Sequence, residues 1–286
     1  DSGMWEDISG IAYNPEIALA PRTRYYWRVT VQADNGDSCT SDTAWFETGK
    51  RDEEWTAQWI AAPFDQEISP LVKTVFSGKD VVSARVYLCG LGSYELYMNG
   101  EKVSGDLFAP GHHSYDLWLQ SFAYDITPFI KEENALGVML SAAWYKGRFG
   151  FDGGFTNIYG DRMRMIAEIH LKYADGSEKV IPTDSDWLCK PSAVVKSSIY
   201  YGDDFDARLY DPDWALPGGE GWVKAEVVEN DLGELHDRYS LPVLVHEQFA
   251  PVEIIDTVKG EKVLDFGQNM TGWVEMIYLQ CMDLII

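Results

Sequence analysis

Between Ala84 and Gly154 the chain alternates apolar and polar side chains with a period of two and shows almost no helical periodicity, which confines it to β architecture. Ala84, Val86 and Leu88 alternate with Arg85, Tyr87 and Cys89, the pattern of a strand with one face in a core. Tyr94, Leu96 and Met98 repeat it. Asn99-Gly100 follows, two residue types that accept the positive φ angles of a tight hairpin turn. Residues 122–126 read as a further strand stopped by Pro128, and Leu136, Val138 and Leu140 supply the inward face of the next. The tract AWYKGRFGFDGGF then forms a loop dense in aromatics and glycines, so strands lead to something presented at one end of a sandwich.

Strands are expected near 71–76, 84–90, 94–98, 122–126 and 135–141. The clearest lies in RMRMIAEIHLKYADGSEK, where Met163, Met165, Ala167, Ile169 and Leu171 face inward and Arg164, Glu168, His170 and Lys172 face out. Asp175-Gly176 closes another hairpin. Short antiparallel strands separated by turn residues predict an all-β chain built on an antiparallel jelly-roll β-sandwich. Residues 183–240, rich in Trp, Pro and Gly, read as long loops packed back on it.

The 286 residues are enough for more than one domain, and 46% apolar with 14% aromatic residues can fill real cores. A formal charge of −23 argues against a nucleic-acid partner, because no basic patch is on hand to neutralise phosphates, and it disfavours an anionic membrane surface. It is compatible with neutral ligands and with a cation site. Cys39, Cys89, Cys189 and Cys281 are widely spaced without a CxxC, which argues against a zinc cluster, and Cys89 reads as a small core residue. No run reaches the length of a membrane-spanning helix, and residues 1–20 show no secretory leader pattern, although the sequence does not begin with Met.

Upstream, LAPRTRYYWRVTVQADNG places Leu19, Pro21, Thr23 and Tyr25 at every second position, and SDTAWFETG follows as a closing strand. These residues resemble the late strands of a fibronectin type III domain, so residues 1–50 are expected to form the C-terminal part of such a sandwich. Its cut edge would leave backbone and apolar surface unpaired, which makes self-association an expectation. A charged linker, Lys50 to Glu54, precedes Trp55, Trp59 and Pro63, which open a jelly-roll domain over 51–244. Residues 245–286, with GEKVLDFGQNMTGWVEM, read as the start of a further β domain.

Four tracts taken in order resemble the non-catalytic N-terminal half of bacterial α-L-rhamnosidases: YELYMNGEKVSGDLFAPG, FAYDITPFIKEENALGVMLSAAWYKGRFG, SSIYYGDDFDARLYDPDW and VLDFGQNMTGW. The resemblance implies an accessory region of a glycoside hydrolase that removes terminal α-L-rhamnose with inversion, its acid and base carried on an (α/α)₆ barrel that follows. Nothing in this sequence corresponds to that barrel, and the final IYLQCMDLII departs from the family's Gly-rich strands. The chain is therefore expected to be catalytically silent, with a rhamnose-containing carbohydrate as its partner. A stand-alone carbohydrate-binding module and a structural spacer are the other readings.

Asp203, Asp204 and Asp206 form the densest carboxylate cluster. Glycoside hydrolysis needs two carboxyls about 5–10 Å apart, but the resemblance puts this tract in the non-catalytic part, where a structural role such as pairing with Arg208 is expected. Trp144, Tyr145, Phe149, Phe151 and Phe155 offer ring faces for a pyranose, with Asp152 beside them; the competing reading is that they seal the end of the sandwich. Some rhamnosidase jelly rolls resemble rhamnose-binding modules in which calcium bridges protein and sugar. That implies calcium ligands at Asp106, Asn157 and Asp161, although an Asp-Asn pair expected at the first position reads Asp106-Leu107 here. His112 and His113, adjacent in an extended segment, point to opposite faces and read as loop histidines.

Overall fold

The structure is a computed structural model that describes residue 14 and residues 16–150 and 153–275. It is nearly all β and divides into two compact units, residues 1–244 and 245–286. No described helix is long and apolar enough to cross a membrane.

Two sheets face each other in the first unit. One holds, in order, Glu226–Val227, Ile60–Ala61, Arg164–Tyr173, Val81–Leu91, Trp118–Asp125 and Glu234–Asp237, with Glu178–Pro182 paired beside Arg164–Tyr173. The other runs Val223–Lys224, Leu188–Pro191, Pro70–Ser77, Glu133–Ser141, Ser93–Met98 and Glu101–Lys102. Alternation decides what lies between them. Ala84, Val86 and Leu88 meet Tyr94, Leu96, Met98, Leu136, Val138 and Leu140, and Met163, Met165, Ala167, Ile169 and Leu171 join the same core with Trp187. Asn99 and Gly100 take φ of 52° and 85°, the pair of positive values that the hairpin requires.

Two expectations need correction. The sandwich is not wholly antiparallel, because Glu234–Asp237 runs parallel to Trp118–Asp125 along its edge. Residues 183–240 are also more ordered than loops: Leu188–Pro191, Val223–Lys224, Glu226–Val227 and Glu234–Asp237 all extend the two sheets. These strands are two to four residues long, too short for a period-two pattern to stand out.

The outward face of the longer sheet is covered as well. Cys89, Leu91, Leu119 and Ile166 form a second apolar cluster with Tyr115 and Tyr145, capped by Trp55, Trp59 and Tyr159. On that face Glu168 is buried rather than solvated. Its carboxylate takes the Lys50 ammonium at 2.5 Å, the Thr56 N–H at 2.6 Å and hydroxyl at 2.9 Å, and His170 Nε2 at 2.8 Å. Burial pushes this carboxyl up, but the hydrogen bonds from His170, Lys50 and Thr56 outweigh it and bring the pKa to about 2. Lys50, read from the sequence as the start of a charged linker, is thus a buried anchor.

Residues 24–47 pair as the two arms of one long hairpin, Arg24–Trp27 with Ala44–Glu47 and, nearer the turn, Thr30–Gln32 with Ser38–Thr40. The Tyr25 hydroxyl accepts the Ala20 N–H at 2.6 Å, the corner contact seen where such sandwich strands begin. Glu47 ties this segment to the jelly roll by accepting from Arg24 and from Arg85, the latter at 2.7 Å. Tyr26, Trp27, Val31 and Trp45 remain exposed. In the second unit Glu253–Asp256 pairs with Lys262–Asp265 as one hairpin. Cys281 and the IYLQCMDLII tract lie outside the described residues.

Candidate functional site

The aromatic end of the sandwich is assembled by three segments. Strand Glu133–Ser141 delivers the one-turn helix Ala143–Lys146, whose two central residues point in different directions because successive helical positions are about 100° apart. Trp144 faces outward and is half-buried, whereas Tyr145 is 1% exposed, packed on Tyr115 with ring centroids 5.3 Å apart. Of the expected platform residues, Tyr145 is therefore a seal and not a face for a sugar. Phe149 and Phe155 exchange backbone hydrogen bonds at 2.8 Å, which pinches the loop and leaves Phe155 exposed. Phe151 and Asp152 lie outside the described residues.

The second segment is the loop between Glu101–Lys102 and Trp118–Asp125. His112 is exposed and central to the cluster. Its ring stacks on Phe149 at 6.2 Å and meets Tyr115, Trp144 and Tyr159 edge-on at 5.6, 6.2 and 6.0 Å. Phe108 adds a sixth ring, edge-on to Trp144 at 6.0 Å. Tyr200, from the turn of the hairpin Val194–Ser198/Gly202–Phe205, meets Phe149 at 6.3 Å, and the Arg148 guanidinium lies over Tyr201 at 4.8 Å. Phe108, His112, Tyr200 and Tyr201 had no place in the platform read from the sequence. A usable signal was there: a Tyr-Tyr pair at a hairpin turn, where Gly, Asn or Asp is the common choice, is an aromatic placed outward for a reason other than turn geometry.

His113 points the other way, as the extended backbone required. It is 1% exposed, with Nε2 facing the Gln120 N–H at 3.4 Å and Nδ1 without a partner. Burial, with a smaller contribution from His112, lowers its pKa to about 4. The folded state refuses a proton that the unfolded chain accepts near its ordinary 6.5, so stability is full above that value and declines as pH falls toward 4. A His113→Gln variant followed by thermal melting across this range is expected to lose that decline; an identical decline would contradict the assignment.

The candidate calcium ligands are placed differently. Asp106 is nearly buried and its Oδ2 meets Arg238 Nη1 at 3.2 Å, while that guanidinium lies 3.9 Å from the Phe122 ring centre. A cation would have to displace the arginine. Asn157 is an exposed loop residue at φ 58° whose N–H is donated to the Lys146 carbonyl, and Asp161 is exposed. Among the described residues no three His, Cys, Asp or Glu side chains group as metal ligands. Calcium prefers six to eight oxygen donors, so this arrangement does not fit the ion as it stands. Asp206 is likewise committed, bonded to Arg208 at 2.6 Å as the sequence suggested.

Stacked strands, a covered outer face and a cluster of rings at one end define an all-β sandwich. Comparison with known proteins makes the assignment specific. Residues 79–247 match the family described as the alpha-L-rhamnosidase N-terminal domain, and residues 5–52 match the Rha78A-like N-terminal immunoglobulin domain. The chain belongs to the α-L-rhamnosidase N-terminal domain family. It is 30% identical to an alpha-L-rhamnosidase of Formosa agariphila over 90% of this chain and 31% of that protein. Among solved structures it is similar to the native enzyme of Aspergillus terreus, with 31% identity, a TM-score of 0.83, and coverage of 91% of this chain and 32% of that one. It is also similar to the Streptomyces avermitilis alpha-L-rhamnosidase complexed with L-rhamnose, with 27% identity, a TM-score of 0.65, and coverage of 84% and 26%. The chain thus spans about a third or less of the relatives it matches.

Proposed function

We propose that this chain is the accessory, non-catalytic region of an α-L-rhamnosidase, and that its aromatic end holds a rhamnose-containing glycan while the remainder of such a protein carries out hydrolysis. The observation that carries this reading is the group of outward rings, Phe108, His112, Trp144 and Phe149, around one loop end. Each pyranose has an apolar C–H face that an aromatic ring covers, and the hydroxyl rim stays in water or finds polar partners. Support from relatives is of the same kind: they are α-L-rhamnosidases, and the matching region is their N-terminal part.

Two outcomes follow. The 286-residue chain is expected to release nothing from an aryl α-L-rhamnoside; cleavage that survives repurification would overturn the non-catalytic assignment. Trp144→Ala is expected to weaken L-rhamnose binding about tenfold, equivalent to about 1.4 kcal/mol, without lowering the melting temperature. Unchanged affinity in that variant would remove the platform from the account.

A further inference from the structure

The tract SSIYYGDDFDARLY carries more exposed aromatic surface than a structural hairpin needs. Tyr200, Tyr201 and Phe205 are 55%, 66% and 56% exposed, and Tyr210 sits beside Phe205 with ring centroids 5.9 Å apart. Within Gly202–Phe205 the side chains of Asp203 and Phe205 share one face, opposite Ser197 and Val194 of the paired strand. Tyr201 precedes that strand in the turn, which Gly202 closes at φ 75°. The result is an exposed ring in the turn followed by a carboxylate and a ring on one face of an exposed strand.

That order has a chemical meaning. Rings take the apolar faces of successive pyranoses, and a carboxylate between them accepts hydrogen bonds from hydroxyls. Asp206 is not part of it, since Arg208 holds both of its oxygens. Asp203 and Asp204, in a chain of net charge −23, would repel an anionic ligand, so the chemistry points to a neutral one. The strip is also continuous with the aromatic end, because Tyr200 lies edge-on to Phe149 at 6.3 Å.

We propose that Tyr201, Asp203 and Phe205 form a second subsite, which holds further units of a neutral glycan whose first unit sits at Trp144. This rests on the reading that the aromatic end binds saccharide, and it adds that the ligand is a chain and not a single sugar.

The test titrates the 286-residue chain calorimetrically with L-rhamnose and with an α-linked trisaccharide of L-rhamnose, then repeats both with Tyr201→Ala/Phe205→Ala and with Asp203→Asn. The wild-type chain is expected to bind the trisaccharide about tenfold tighter than the monosaccharide. The double variant should lose that gain and keep monosaccharide affinity, and Asp203→Asn should lose part of it. A Tyr201→Phe variant, which keeps the ring, should retain it. Equal wild-type affinity for both sugars, or a gain that survives the double variant, would overturn the second subsite and leave the first reading standing. Silence toward both sugars would overturn both. Unaltered sugar binding together with a shift from dimer to monomer in sedimentation would overturn the subsite and assign this edge to contact between copies.

Discussion

Glu168→Ala is expected to destabilise the first unit by about 3–5 kcal/mol, because removing one partner of a buried ion pair strands the other. Lys50 is 3% exposed, and without the carboxylate its ammonium keeps only the Glu54 carbonyl at 3.2 Å and the Trp55 ring at 4.9 Å. Thr56 and Ala57 also lose the acceptor that fixes the start of the jelly roll. The pH dependence distinguishes this from simple loss of packing. Glu168 stays ionised down to about 2 when folded against an ordinary 4.5, so its contribution is complete above 4.5 and fades as pH falls toward 2. Urea titrations should therefore show a wide gap between wild type and variant near neutrality that narrows in acid. A cost below about 1 kcal/mol, as for an exposed pair, would mean that the linker is not anchored in this way.

Lys73→Met is the second large effect. Lys73 lies in Pro70–Ser77 with no exposed surface, and its ammonium donates to the carbonyls of Trp214, Leu216 and Gly218 at 3.0, 2.9 and 2.8 Å beneath the Trp222 ring. Burial pulls its pKa down, partly opposed by Asp211, and the carbonyl cage compensates for the desolvated charge. Methionine keeps the stem but leaves three carbonyls without a donor; because Gly218 is exposed and Trp214 and Leu216 are half-buried, the loss is expected at about 3 kcal/mol, the low end of 1–3 kcal/mol for each unsatisfied group. The segment carrying Trp214, which packs against Gly137 and Tyr97, should loosen first. Limited proteolysis between residues 211 and 222 is expected to speed up in the variant. Unchanged stability with unchanged cleavage would contradict the cage.

These two residues also mark where the sequence stopped being legible. Every inward residue of the tract around Met163 to Leu171 was readable, because period-two alternation is written locally. Glu168 and Lys73 occupy outward positions in equally clear strands, and what buries them comes from far along the chain: residues 50–57 for one, 214–222 for the other. Alternation tells which face leaves the core, not what later covers it. The site behaved the same way. Trp144 was legible from an aromatic, glycine-rich loop, whereas His112 and Tyr200 joined it through contacts between segments distant in sequence. Tyr145 went the other way, since one helical turn rotated it into the second core. For Asp106 the sequence carried a carboxylate but not its partner, Arg238, which lies 132 residues further on.

The central claim is that the aromatic end of this sandwich holds rhamnose while the chain itself does no chemistry. Calorimetric titration of the 286-residue chain with L-rhamnose, run with calcium and again after chelation, tests it most directly. The expected result is saturable heat in both runs, because the proposed platform is made of rings and Asp106 is already paired with Arg238. Heat that vanishes on chelation would put calcium at the centre of the site and displace the Asp106–Arg238 pair from the account. No heat in either run, with the chain folded by its thermal melt, would contradict the claim and leave this region a scaffold alone.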